Sequence, residues 1–247
     1  MIYKQYKNFE DLYKNLNRDI ILNPDQYVIG TSGNSALLPY LILESESAEV
    51  GDSIKKAYKN ISKFQVLVNK YLDIEKFKDF LEKSKKCSAT SLTFYFNSNK
   101  KPEVHRYKNG GCILNFVLRR LKRNEPWQEI TIYYRTTQLN RAFAFDLIFF
   151  NKIIELLPNC NFKTIRIAIV SPYFDMLEAS HQLDIFDIDY NNLDLSSLVQ
   201  KNIFNTRQKV LTKTTEKYVY HKYQRIAREI LKGLPNKPIN IDNLRLF

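Results

Sequence analysis

The chain has 247 residues, 44% hydrophobic and 13% aromatic, enough apolar surface to fill a sizeable core, and no low-complexity segment, so a globular protein is predicted. Thirty-eight Lys and Arg against 26 Asp and Glu leave a formal charge of +12. This favours an anionic partner such as a nucleotide or nucleic acid, although a Lys-, Asn- and Ile-rich composition of the kind an AT-rich genome produces gives the same excess.

Cys87, Cys112 and Cys160 have neither CxxC nor Cys/His ligand spacing, so no disulfide framework and no metal site is expected. No apolar run approaches the roughly 18 to 20 residues that span a bilayer, and the first residues lack a signal-peptide core. A cytoplasmic protein with no membrane partner is the expectation. Few glycines and no linker composition point to one domain, with residues 1–180 as its core and 181–247 as a helical extension.

In chain order, Phe9 to Asn17 reads as a helix, with Phe9, Leu12, Tyr13 and Leu16 on one face. Gly30 to Ser35 is a polar turn before an apolar segment, Leu37 to Leu43, that reads as a strand. Two charged amphipathic helices follow, Val50 to Tyr71 and Ile74 to Lys85. Ser91 to Phe96, Ile113 to Leu118 and Glu129 to Tyr134 alternate as strands do and form an antiparallel group. Phe143 to Leu157 is apolar nearly all round, a helix buried on most sides, and Ile165 to Val170 is a core strand ending at Ser171-Pro172-Tyr173.

An acidic stretch, Asp184 to Asp194, precedes a basic one from Lys201 onward. From Thr215 to Lys232 a last helix carries His221, Arg225, Arg228 and Lys232 on one side. That stripe fits phosphate binding, through counterion release, or simply a solvated face.

Cys112 is the candidate nucleophile. It follows two glycines and stands at the start of a strand, where a thiol is either a small buried hydrophobe or, if positive charge lowers its pKa, a reactive thiolate. The hairpin through Arg123 to Trp127 leads into a second strand ending at Arg135 and Thr136, whose guanidinium is expected to face Cys112 and lower its pKa. Then come the apolar helix with Asp146 and the strand leading to Tyr173. Asp146 either reads a ligand or caps its helix.

In this order and spacing the region from about residue 27 to 178 resembles the thymidylate synthase family, including its deoxycytidylate hydroxymethylase branch. The family has a cysteine opening a strand, a strand ending in Gln-Arg-Ser, a helix preceded by a pyrimidine-reading Asn or Asp, and a strand ending in His-x-Tyr. The resemblance implies an α/β (α+β) fold, a mixed sheet covered by helices, that dimerises through its sheet. It implies Cys112 as the catalytic nucleophile, Arg135 and Thr136 on the phosphate, Asp146 on the base and Tyr173 on the sugar. The implied reaction is transfer of a methyl or hydroxymethyl group to C5 of a pyrimidine nucleotide, with methylene-tetrahydrofolate as carrier. Asp146 favours cytosine, because a carboxylate accepts a hydrogen bond from the exocyclic amine.

Several positions depart from the family. Ile113 stands where a histidine follows the nucleophile, Gln138 replaces a folate-contacting aspartate, and Gln65 is the nearest counterpart of a proton-transferring glutamate. Ala89 to Leu92 lacks the partner subunit's paired arginines, with Lys85 and Lys86 just upstream, and residues 243–247 do not match the family's closing segment. These departures leave a second expectation, a protein on the same scaffold that binds nucleotide or nucleic acid without turnover. A general acid or base near Cys112 separates the two, and Glu44, Glu46 and Glu49 are candidates.

Overall fold

The structure, a computed structural model, describes residues 1–58, 68, 71–94 and 112–211. Within them lie an eight-stranded mixed sheet and seven α-helices. The strands are β1 (Ile2–Tyr6), β2 (Gly30–Ser32), β3 (Ser35–Leu37), β4 (Leu41–Ser45), β5 (Ala89–Thr93), β6 (Ile113–Arg119), β7 (Trp127–Gln138) and β8 (Cys160–Asp175). The helices are α1 (Phe9–Leu22), α2 (Pro24–Tyr27), α3 (Asp52–Ala57), α4 (Ile74–Ser84), α5 (Ala142–Leu156), α6 (Met176–Ala179) and α7 (Leu198–Leu211).

The main path of the sheet is β1-β4-β8-β7-β6-β5, and the β2–β3 hairpin attaches to the far end of β8 through β3. β5, β6 and β7 form the antiparallel group that their alternation predicts. β7 and β8 run parallel, a pairing that needs a crossover, which α5 supplies. Ile130, Ile132 and Tyr134 of β7 and Ile165, Ile167 and Ile169 of β8 are all buried, while Tyr133 and Val170 are exposed.

α1 continues five residues past the predicted Asn17, because Ile20 and Ile21 prolong the apolar face begun by Phe9, Leu12, Tyr13 and Leu16. Its N-cap is Asn8, whose side chain accepts from the Asp11 N–H at 2.7 Å. The single strand expected over Leu37 to Leu43 is instead two. β3 ends at Leu37 and β4 begins at Leu41, with Pro39 between them unable to donate to a ladder. β8 is longer than Ile165 to Val170, so Tyr173 lies inside the strand rather than past its end.

The extension from residue 181 docks on the core as far as it is described. Ile203 of α7 is fully buried, and the Gln200 side chain donates to the Ile21 carbonyl at 3.2 Å. The acidic stretch contains two short 3-10 turns, Leu183–Phe186 and Tyr190–Asn192. No described helix is long and apolar enough to cross a membrane.

Candidate functional site

Cys112 stands immediately before β6, and its carbonyl accepts from the Arg135 N–H of β7 at 2.9 Å. The first pair of that ladder is Ile113 with Tyr134, and a register shift follows between Ile113 and Asn115. One extra residue there bends the strand end that carries the thiol, a device found beside ligand sites. Cys112 and Arg135 are therefore cross-strand neighbours although separated by a hairpin in the chain.

α5 brings the third group. Its side chains 143, 146 and 150 recur at helical spacing, and the Phe143 and Phe150 rings each lie 6.1 Å from the ring of Tyr134. Asp146 sits between them on the helix, 3% exposed, and its Oδ2 accepts from the Thr137 hydroxyl at 2.9 Å. Asp146 does not cap its helix: the N-cap is Arg141, with no side-chain cap bond. The turn before α5 is held firmly. Asn140, fully buried, exchanges hydrogen bonds with the backbone of Asp175, and the Tyr13 hydroxyl donates to the Asn140 carbonyl at 2.8 Å.

A fourth contributor comes from far upstream. The Cys112 N–H donates to the Tyr71 hydroxyl oxygen at 3.2 Å, and the Tyr71 ring packs against Phe145 and Phe149 of α5. Tyr173 completes the group: burial raises its pKa first, and the charge of a nearby Cys112 thiolate raises it further.

The electrostatics of this cluster differ from the sequence expectation in one respect. Arg135 does pull the Cys112 pKa down, as does a hydrogen bond from Tyr71, but burial and the Asp146 carboxylate push it up and prevail. Cys112 is thus a thiol at neutral pH in the free protein, not the thiolate that a nearby guanidinium alone would give. Burial also lifts Asp146, from the ordinary 3.8 to about 7, with the Thr137 hydrogen bond opposing it. Asp146 is therefore a carboxyl beside Cys112 that titrates near neutrality, a property that sequence reasoning did not recognise. Glu44 is not available as a general acid or base there. It lies on β4, engaged by Tyr3, Gln5 and the Arg166 guanidinium.

The remaining predicted residues are less directly placed. The Thr136 hydroxyl donates to the Ser171 carbonyl at 2.6 Å, so its proton is committed to the β7–β8 pair. Gly110, Gly111 and Gln65 lie outside the described residues, as do His221, Arg225, Arg228 and Lys232. Glu46 lines an open cleft of about 410 Å³ with Gln5, Tyr6, Lys7, Glu44 and Lys163, at the opposite end of the sheet from Cys112. Its best-placed carboxylate, Glu44, is already hydrogen-bonded, so the cluster around Cys112 is the stronger candidate site. Among the described residues, no group of three or more His, Cys, Asp or Glu could hold a metal ion.

Tyr71, Tyr134, Thr137 and Asn140 were not legible as site residues. Asn140 alone carried a signal, a turn-forming residue between a strand and a helix. No protein-family model matches the chain, and no curated protein matches it.

Proposed function

We propose that the chain binds a pyrimidine nucleotide, with cytosine preferred, and that Cys112 adds to C6 of the base to activate C5 for one-carbon transfer. On this reading the scaffold is thymidylate-synthase-like. The observation that carries it is the convergence of Cys112, Arg135, Asp146 and Tyr173, from four separate elements, at one end of the sheet.

The roles follow from the chemistry of each group. Arg135 carries a guanidinium suited to a phosphate and favours the thiolate of Cys112. In its ionised form Asp146 accepts a hydrogen bond from the exocyclic amine of cytosine, whereas uracil presents a carbonyl oxygen there and offers that carboxylate no donor beyond the Thr137 hydroxyl. Near neutrality Asp146 is also able to take up the thiol proton of Cys112. The cluster is buried and tolerates one negative charge better than two, so a thiolate on Cys112 favours a protonated Asp146. The sulfur lone pair then forms the bond to C6, and the C5–C6 π electrons move into the ring and leave C5 nucleophilic.

Gln138 does not fit a folate contact that needs an anionic acceptor; the buried atom it leaves without a partner among the described residues is its donor nitrogen. The steps supported by the chain's own residues therefore end at the activated C5. The parallel β7–β8 pair exposes Tyr133 and Val170, while parallel strands are ordinarily covered on both faces, and a second copy of the chain would cover them as a homodimer.

One observation favours the alternative, a nucleotide-binding protein without turnover: the raised pKa of Cys112. Mass spectrometry of the protein incubated with 5-fluoro-dCMP and 5-fluoro-dUMP, each with and without methylene-tetrahydrofolate, separates the two. An adduct on the Cys112 peptide, stronger with the cytosine analogue, is expected. Calorimetric binding of dCMP with no adduct under any condition establishes the alternative instead.

A further inference from the structure

Tyr134 is a member of the cluster to which the mechanism gives no task. Its side chain is fully buried, yet its hydroxyl has no hydrogen-bond partner among the described residues. Buried hydroxyls are seldom left so, because an unmade hydrogen bond costs more than a made one contributes. Asp146, Tyr71 and Cys112 all act on this hydroxyl electrostatically, in that order of strength, and Asp146 lies on the same face of α5 as the two phenylalanines that hold the Tyr134 ring. None of the three is hydrogen-bonded to it, and no other described residue supplies a partner, which leaves the hydroxyl open to a ligand.

We propose that the Tyr134 hydroxyl is a further ligand-binding group of this site, hydrogen-bonding N3 of the pyrimidine ring beside the contact that Asp146 makes to the exocyclic position. The inference rests on the nucleotide reading above and adds to it a residue and an atom. A phenol both donates and accepts. It donates to the N3 lone pair of cytosine and, with its proton turned away, accepts from the N3–H of uracil. Tyr134 therefore strengthens binding of either base, and discrimination between them falls to Asp146.

The test is calorimetry of the full-length protein and its Tyr134→Phe variant with dCMP and dUMP, together with thermal unfolding of both proteins without ligand. The variant should bind both nucleotides more weakly by a similar factor, about threefold to tenfold, which is the loss of one hydrogen bond. Its melting temperature should be equal or higher, since no described residue pairs with the hydroxyl it removes. If the wild type binds and the variant binds equally well, the inference fails while the nucleotide reading stands. A variant that melts markedly lower also overturns it, because the hydroxyl is then satisfied within the protein. If the wild type binds neither nucleotide, the reading itself fails and the inference with it.

Discussion

Asp146 should cost the folded protein stability at neutral pH, and replacing it with asparagine should recover part of that cost. In the unfolded chain its carboxyl titrates near 3.8, and in the fold near about 7. Between these values the folded protein holds a proton that the unfolded chain has released. Stability therefore falls as pH rises through this interval and levels off above it. The displacement corresponds to at most about 4 kcal/mol.

An asparagine keeps an oxygen for the Thr137 hydroxyl but does not titrate. Its stability relative to wild type should increase by about 2 to 3 kcal/mol between about pH 5 and about pH 8, whatever fixed cost the new amide N–H groups bring. Urea denaturation of Asp146→Asn and wild type across this range reads the difference directly, and other titrating groups cancel because both proteins share them. A difference that stays flat with pH would refute the placement of an ionisable, desolvated carboxyl at this position. A residue that costs stability in the free protein is the kind of residue kept for what it does with a ligand.

The same charges should govern the thiols. Iodoacetamide labelling followed by peptide mass spectrometry should find Cys160, pushed up to about 12 by burial, the slower of it and Cys112. Asp146→Asn should accelerate labelling of Cys112 and Arg135→Ala should slow it, and identical Cys112 rates in all three proteins would remove these groups from its surroundings. Remote from the site, Arg120 is expected to be a structural staple. Its guanidinium donates to the carbonyls of Ser84, Lys85, Cys87 and Glu125 and lies 4.2 Å from the Trp127 ring centroid. Arg120→Ala should lower unfolding stability by about 2 to 4 kcal/mol, and Arg120→Lys should recover little of it, because one ammonium cannot reproduce the fork. A chemical denaturation midpoint unchanged in Arg120→Ala would show that these contacts contribute nothing net.

What the sequence determined by itself was local. The 3.6-residue period marks α1 and α4, the two-residue period marks β5, β6 and β7, and a nearly all-apolar α5 reads as a helix buried on most sides. The order in which Cys112, Arg135, Asp146 and Tyr173 follow one another was equally legible, since each stands at a recognisable point on an element. Pairing between distant strands was not. β1 lies beside β4 because a parallel partner is chosen by burial across the whole sheet, and nothing within Ile2 to Tyr6 states that choice.

The pKa direction of Cys112 also belongs to the tertiary structure. Arg135 is visible as a neighbour from the hairpin alone, but burial and Asp146, which outweigh it, exist only once α5 has packed on the sheet. Tyr71 and Tyr134 follow the same logic. In the chain they are two more apolar positions at strand or helix spacing. They become polar members of a site because packing carries their hydroxyls into a low-dielectric interior beside a thiol and a carboxyl, where each charge and each hydrogen bond counts for far more than it does in water.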